Sequence, residues 1–488
     1  MEERIPTGIE GFDSLIEGGI PRGSLVLLAG NPGAGKTIFA AQYLYHGVLD
    51  LNEPGVYASL AEDRGTFLRN MKRLGMDFEK LEQDGKFSFM DLITVTEKGV
   101  GDVLTSVLEE IDRLKAKRLV IDSFSALAQA FKEPIDARIA LHIILSKMVR
   151  QTGCTTLLTT EISMDRERIG LGLEEFVADG VITMTLSPGR GHMDRRLQVV
   201  KMRGTRANTT RLRYDITQRG IAVYPQLESR PVEKSLTERV KTGIEGLDAM
   251  LNGGFLKGSV TMVAGASGTG KTTTALHFVA EGAMRNERSL YISFEEPAAQ
   301  LIMHGEEFGW NFKQLMDNGM LRIESYYLEP FNVGERLLQV SRLLQDYKPS
   351  RFVIDSLDAL GRVMPEEECM QYVRNLGSNL KAEAVTSLLT MTGESTSPVT
   401  GTGVSTLMDN IISLRDVELE STLKRSLIAF KARGTAHDRD IREFEITPKG
   451  MIVKEKFVGM EQILGGAARR SFTEEAVENL ARAFGKKR

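Results

Sequence analysis

Nine residues, AGNPGAGKT, run from Ala29 to Thr37, and a second set, AGASGTGKT, runs from Ala264 to Thr272. Each carries the spacing G-x-x-x-x-G-K-[ST], and the chemistry it suits is the gripping of phosphate. A backbone that wraps its N–H groups around phosphate oxygens must bend sharply and leave room, so glycines stand at the bends. In the first copy the candidate cradle is Gly30, Asn31, Pro32, Gly33, Ala34 and Gly35; in the second it is Gly265, Ser267, Gly268, Thr269 and Gly270. Lys36 and Lys271 reach for the β- and γ-phosphates. Thr37 and Thr272 offer hydroxyls to Mg²⁺, and Thr273 opens the following helix. An apolar run precedes each loop (Ser24–Ala29, Ser259–Ala264) and a helical pattern follows it (Ile38–Gly47, Thr273–Gly282). That order places the anion at a helix N-terminus.

Three further sets of residues accompany the loops. Arg118-Leu-Val-Ile-Asp122 and Arg351-Phe-Val-Ile-Asp355 are apolar runs ending in aspartate. Beside a phosphate loop, an aspartate at a strand end holds the Mg²⁺ water shell, and it can also cap the next helix. Tyr291-Ile-Ser-Phe-Glu295-Glu296 matches Tyr57-Ala-Ser-Leu-Ala61-Glu62-Asp63. A carboxylate there can polarise a water or accept a hydroxyl proton on the γ-phosphate side. Glu295 and Glu296 are candidates in the second copy, and Glu295 also for the metal; in the first, Ala61 replaces one acid and leaves Glu62. Lys201-Met-Arg203-Gly-Thr205 and Lys431-Ala-Arg433-Gly-Thr435 are basic clusters whose charges, two apart in a strand, point to one face and can meet one anion. Spacing leaves open whether that anion is the copy's own nucleotide or a neighbour's.

The elements that position these residues come from a duplication. Thr7-Gly-Ile-Glu-Gly-Phe-Asp13 returns as Thr242-Gly-Ile-Glu-Gly-Leu-Asp248, 235 residues on (7 to 242), and Lys36 and Lys271 keep that offset. The period is a whole domain and not a solenoid unit. The first copy spans residues 1–225, a polar linker 226–239, the second copy 240–453 and a tail 454–488. In the first copy β-rich runs (Ser24–Ala29, Gly55–Leu60, Arg118–Asp122, Thr155–Thr160, Gly180–Thr185) alternate with helical patterns. The second repeats this with Val260–Ala264, Ser289–Phe294, Arg351–Asp355, Thr386–Met391 and Asn410–Leu414. The alternation predicts an α/β fold, a largely parallel sheet flanked by helices, with ligands at the carboxyl ends of the strands. Across 488 residues the net charge is −4 and charged residues make up 26%, so no basic field draws in nucleic acid. Cys154 and Cys369 stand apart without metal-ligand spacing, and no unbroken apolar run could cross a bilayer. A cytoplasmic protein with no membrane partner is expected.

The T-G-I-x-G-x-D openings, the K-x-R-G-T clusters and the duplicated layout resemble the KaiC family of double-domain, RecA-like P-loop ATPases, from Ile5 to about Phe484. The resemblance implies two tandem RecA-like P-loop NTPase domains binding ATP with Mg²⁺, stacked as two rings in a homohexamer with nucleotide at subunit interfaces. It implies that Lys201, Arg203 and Thr205, and Lys431, Arg433 and Thr435, reach a neighbour's nucleotide, the cations acting as trans fingers. It implies a serine/threonine autokinase in the second domain, with Ser405 and Thr406 as phosphoacceptors, Glu295 as base and Glu296 as its partner. The first copy has Leu173-Glu174-Glu175-Phe176 at that place, without hydroxyls, and Met408 stands where the clock proteins carry a hydroxyl. Arg73 and Phe308 map to adenine neighbours, and His437 lies close enough to Lys431 in sequence to touch nucleotide. In the tail, Gly459–Gly466 corresponds to a loop at the ring mouth and Thr473–Phe484 to a detachable regulatory helix. A KaiB-like protein is the implied partner, and clock-type or related signalling the implied role. Two other classes share the core: a DNA-handling motor, disfavoured by the acidic balance, and a nucleotide-gated scaffold with little turnover, suggested by Ala61.

Overall fold

A computed structural model describes residues 3–92, 100–129, 139, 142–162, 177–188, 193–224, 237–330, 332–393, 404–419, 422–457, 460–461 and 469–470. The chain divides into two compact units, Met1–Pro225 and Gln226–Arg488. The acidic stretch 173–176, linker residues 226–236, most of the loop 459–466 and the segment 473–484 lie outside the described residues.

The first unit is built on nine strands: β1 (Leu25–Gly30), β2 (Gly55–Ser59), β3 (Phe87–Asp91), β4 (Arg118–Asp122), β5 (Thr155–Glu161), β6 (Gly180–Pro188), β7 (Met193–Met202), β8 (Leu212–Thr217) and β9 (Gly220–Val223). They lie in the order β3-β2-β4-β5-β1-β6-β7-β8-β9. β1 to β6 run parallel, and β7 to β9 extend the sheet antiparallel. Helices α1 (Lys36–Leu51), α2 (Arg64–Arg73) and α3 (Val100–Leu114) follow β1, β2 and β3.

Alternation along the strands sorts side chains into two cores. Val26, Leu28, Tyr57, Val120 and Leu157 pack on the α1 side, while Leu25, Leu27, Val56, Leu119 and Leu158 pack on the α3 side. Burial on both faces is why these strands read as unbroken apolar runs.

The second unit repeats the plan. Its strands are β10 (Val260–Gly265), β11 (Ser289–Ser293), β12 (Leu321–Ser325), β13 (Arg351–Asp355), β14 (Thr386–Thr392), β15 (Asn410–Leu419), β16 (Thr422–Ala432), β17 (Arg442–Thr447) and β18 (Gly450–Lys456). They take the order β12-β11-β13-β14-β10-β15-β16-β17-β18, strand for strand that of the first unit. The helices used below are α4 (Lys271–Met284), α5 (Ala298–Glu307), α6 (Leu357–Val363) and α7 (Glu366–Ala382). All ten predicted strands are present. The edge strands β3 and β12 and the antiparallel hairpins were not predicted. No helix among the described residues is long and apolar enough to cross a membrane.

A buried arginine fixes each phosphate-loop helix from behind. Arg118, wholly buried at the start of β4, donates from Nε to Glu53 at 2.8 Å, from Nη1 to the Tyr43 carbonyl at 2.7 Å and from Nη2 to the Pro6 carbonyl at 3.0 Å. Arg351 makes the matching set with Glu287, Phe278 and Lys241. Gly47 and Gly282 make this possible, since a Cβ on either would lie 2.3 Å from Arg118 Nε or 2.4 Å from Arg351 Cδ. The T-G-I-x-G-x-D opening is stapled to itself. Asp13 accepts from the Thr7 N–H at 2.8 Å and the Thr7 hydroxyl at 2.7 Å, and Asp248 accepts from the Thr242 N–H at 2.7 Å.

Candidate functional site

The loops close at the carboxyl ends of β1 and β10, where the fold leads a ligand to be expected. Gly35 and Gly270, the residues just before α1 and α4, sit at φ 94° and 98°, a left-handed conformation that favours glycine. Gly30 and Gly265 serve by close approach: a Cβ there would come within 2.3 Å of the Met184 carbonyl oxygen or 2.6 Å of the Leu414 one. Lys36 Nζ donates to the carbonyls of Gly30 and Asn31 at 2.8 and 3.3 Å, and Lys271 Nζ to those of Gly265 and Ala266 at 2.9 Å each. Burial pushes the Lys36 pKa down, with Glu161 and Asp122 opposing. Asn31 ties its loop to β6, its amide donating to the Leu186 carbonyl at 2.6 Å.

Each aspartate is held by three hydroxyls. Asp122 Oδ2 accepts from Thr37 at 2.8 Å and Tyr57 at 2.5 Å, and its Oδ1 from Thr159 at 2.6 Å. Asp355 Oδ2 accepts from Thr272 at 2.8 Å and Tyr291 at 2.6 Å, and its Oδ1 from Thr390. Burial, then the aspartate charge, raises both tyrosine pKa values well above the usual phenol, so the tyrosines stay donors. Thr37 beside Asp122, and Thr272 beside Asp355, are the hard oxygen pairs that Mg²⁺ takes alongside phosphate and water. These residues would hold the ion. The tyrosine and threonine partners went unpredicted, although Tyr57 and Tyr291, like Thr159 and Thr390, recur between the copies.

The acids separate by environment. Glu62 accepts from Asn70 at 2.8 Å, and burial raises its pKa. Burial raises Glu296 too, with the Asp355 charge adding; its Oε2 is buried, 3.9 Å from His304 Nδ1. Glu295 is instead ion-paired with Arg362 of α6 at 3.0 Å. The first unit lacks both members of that pair, having Ala61 and, at the position matching Arg362, Gln129.

The basic clusters differ from expectation in one respect. Lys201 and Lys431 are strand residues, but β7 and β16 end at Met202 and Ala432, so Arg203 and Arg433 lie in the turns beyond. A bulge at Val200 and at Phe430 shifts the register just before each lysine and redirects it. Lys and Arg still converge on one segment. Lys431 Nζ donates to the Ser405 and Met408 carbonyls at 2.8 and 2.7 Å, and Arg433 Nη2 to the Thr406 carbonyl at 3.1 Å. Lys201 Nζ donates to the Ala178 carbonyl at 2.8 Å. Ser405 is buried and Thr406 exposed, on a helical turn (Val404–Leu407) leading into β15, with Met408 buried behind them. Thr205 and Thr435 accept from Arg4 and Arg239 at 2.8 and 2.5 Å, contacts that brace the turns.

The expected adenine neighbours lie on the helices after β2 and β11. Arg73 ends α2 and lines, with Arg69, Asn70 and Lys72, a cavity of about 490 Å³. Phe308 caps α5 and leans on Trp310, ring centres 5.0 Å apart. His437 follows the Lys431 cluster with its Nε2 buried and without a hydrogen-bond partner among the described residues. No group of three or more His, Cys, Asp or Glu that could hold a metal is found among the described residues. A Mg²⁺ carried on phosphate does not require one.

Strand, glycine loop, helix and hydroxyl-held aspartate, on a mostly parallel sheet in each half, define a tandem RecA-like P-loop nucleoside triphosphatase. A family model described as the KaiC ATPase matches residues 5–228 and again 240–457. The chain belongs to the KaiC family of ATPases. It is similar to the circadian clock oscillator protein KaiC of Synechococcus elongatus, 33% identical over 97% of this chain and 93% of that protein. The KaiC of Thermostichus vulcanus is also 33% identical, over 98% and 94% of the two chains. The circadian clock protein KaiC3 of Synechocystis sp. is 33% identical over 99% and 98%.

Proposed function

We propose that this chain is an ATP-hydrolysing autokinase that works as a hexameric double ring, each site completed by a neighbouring copy, in clock-type or related signalling. Its functional divisions are a first ATPase domain (1–225), a linker (226–239), an autokinase domain (240–453) and a regulatory tail (454–488), with a KaiB-like protein as partner. One observation carries the kinase half. Lys431 and Arg433, the second unit's phosphate-seeking cations, grip the backbone carbonyls of Ser405 and Thr406. The candidate acceptor hydroxyls are thereby fastened to the edge that would meet a neighbour's γ-phosphate.

In the second site Gly265, Ser267, Gly268, Thr269 and Gly270 seat the phosphates with Lys271, while Thr272 and Asp355 would hold Mg²⁺, which when bound would offset phosphate charge. The Ser405 or Thr406 oxygen bonds to the γ-phosphorus as the bond to the bridging oxygen of ADP breaks. Glu295 or its partner Glu296 takes the hydroxyl proton. In the first site a water replaces the hydroxyl and Glu62 orients it, with Lys201 and Arg203 of the adjacent copy on the γ-phosphate.

Incubation of the full chain with ATP and Mg²⁺, followed by phosphopeptide mapping, tests this. Label at Ser405 or Thr406 that vanishes in Lys271→Ala is the expected result. No label at either residue in ATP-loaded protein would sink the kinase reading, and persistent label in Lys271→Ala would move the active site elsewhere.

A further inference from the structure

The two units bind the same aspartate in different ways. Asp179 precedes β6 and Asp409 precedes β15, and each accepts at Oδ2 from a backbone N–H of the phosphate-loop strand: Leu25 at 3.1 Å and Val260 at 2.9 Å. Each carbonyl accepts from the backbone N–H of the cluster arginine, Arg203 or Arg433, at 2.9 Å. The difference lies at Oδ1. In the first unit the Arg203 guanidinium takes it at 3.2 Å. In the second, Lys381, in the last turn of α7, takes it at 2.8 Å. Arg433 then reaches only the Thr406 carbonyl and has no carboxylate within ion-pair distance among the described residues. The first unit's residue matching Lys381 is Arg150, also in a last helical turn, which is exposed and makes no ion pair among the described residues.

Arg203 and Lys381 therefore occupy equivalent carboxylate oxygens. A guanidinium tied to a carboxylate within its own unit has part of its charge neutralised and its fork already engaged. We propose that Lys381 is a positioning residue: by occupying Asp409 it keeps the Arg433 guanidinium free for a phosphate, whereas Arg203 in the first unit must first leave Asp179. The lysine is suited to this, since the C-terminal turn of α7 favours a cation and the pair is only partly exposed. This inference rests on the reading of Arg433 as a cation that stabilises the phosphoryl-transfer transition state.

The test measures ATP turnover by the second site in the full chain, with Lys36→Ala silencing the first. Lys381→Met should let Arg433 fall onto Asp409, lowering kcat by about five- to tenfold while KM for ATP changes less than about twofold, because a finger acts on transition-state charge. Adding Asp409→Asn to Lys381→Met should restore most of the rate. The amide oxygen still accepts from Val260 but no longer pairs with a guanidinium. Lys381→Arg should keep the parental rate. Unchanged turnover in Lys381→Met would overturn the proposal, and so would a loss that Asp409→Asn fails to relieve, which would mark the pair as merely structural. A parent with no second-site turnover at all would instead remove the function reading, and this inference with it.

Discussion

At the scale of single residues, the duplication supplies an internal control. His277 on α4 accepts a hydrogen bond at Nε2 from the Met451 N–H at 2.7 Å, and Gln42 on α1 accepts at Oε1 from the Ile221 N–H at 2.7 Å. Both close the hairpin strand that follows onto the phosphate-loop helix, and Gly450 and Gly220 leave the room, at φ 98° and 95°. The two acceptors differ in that only the histidine titrates. Burial pushes the His277 pKa down to about 4, against an ordinary 6.5. The folded state thus refuses a proton that the unfolded chain takes up below 6.5. The stability His277 confers is fully present above that pH and is lost as pH falls from 6.5 through 4. The whole effect is on the order of 3 kcal/mol. His277→Gln copies the first unit's solution and removes the proton. In urea unfolding, its stability relative to the parent should rise by about 2 to 3 kcal/mol between pH 7.5 and pH 4.5. Equal pH dependence in the two proteins would show that His277 is not the buried acceptor described.

At the scale of elements, helix and strand meet through the buried arginines, and there two rules conflict. Gly282 lies in the last turn of α4, where alanine would ordinarily still be the better helix former, by up to about 1 kcal/mol. Its Cβ, however, would enter the Arg351 side chain at 2.4 Å. Arg351 is almost wholly buried and bonded to Glu287, Phe278 and Lys241, so it cannot retreat without stranding its charge. Gly282→Ala should therefore destabilise the second unit by about 2 to 4 kcal/mol. Chemical denaturation monitored at Trp310, the single tryptophan and a second-unit residue, would show it, and a stabilised variant would contradict the packing. The same elements explain what could be read in the sequence. β1, β2 and β4 are apolar on both faces and stood out at once. β3, Phe-Ser-Phe-Met-Asp, lies on the sheet edge with three of its five residues only half-buried, and its pattern is correspondingly faint. The hairpin strand β8 alternates polar and apolar residues and β7 opens on Met-Asp-Arg-Arg, so neither carries an unbroken apolar run. Arg203 and Arg433 were placed on strands because Lys-x-Arg has strand periodicity, but a bulge and a glycine turn intervene. Arg118 and Arg351 were visible only as the polar ends of apolar runs, because what makes them structural is the glycine on a helix far away in sequence.

At the scale of the whole molecule, the question is whether a site belongs to one chain. In each unit the loop, the aspartate and the acids stand together, whereas Lys201 and Lys431 turn to carbonyls beside β6 and β15, on the antiparallel extension of the sheet. If the cations serve a neighbour, then a chain lacking Lys271 and a chain lacking the cluster are deficient on opposite sides of one interface. Lys271→Ala should fail to label Ser405 or Thr406, and so should a Lys431→Ala, Arg433→Ala double variant. Each retains what the other has lost. Mixing the two at equal concentration, with subunit exchange, should restore labelling. With random assembly around a closed ring, half the interfaces offer an intact loop and, of these, half face an intact cluster. Label should recover to about a quarter of the parental level. The recovered phosphate should sit on the Lys271→Ala chains, if the cluster that fastens the acceptor hydroxyls belongs to the same chain as those hydroxyls, as its bonds to the Ser405 and Thr406 carbonyls require. Phosphopeptide mapping of differently tagged chains separates the outcomes. No recovery on mixing would mean that loop and cluster act within one chain, and recovery on the wrong chain would detach the acceptors from their own cations.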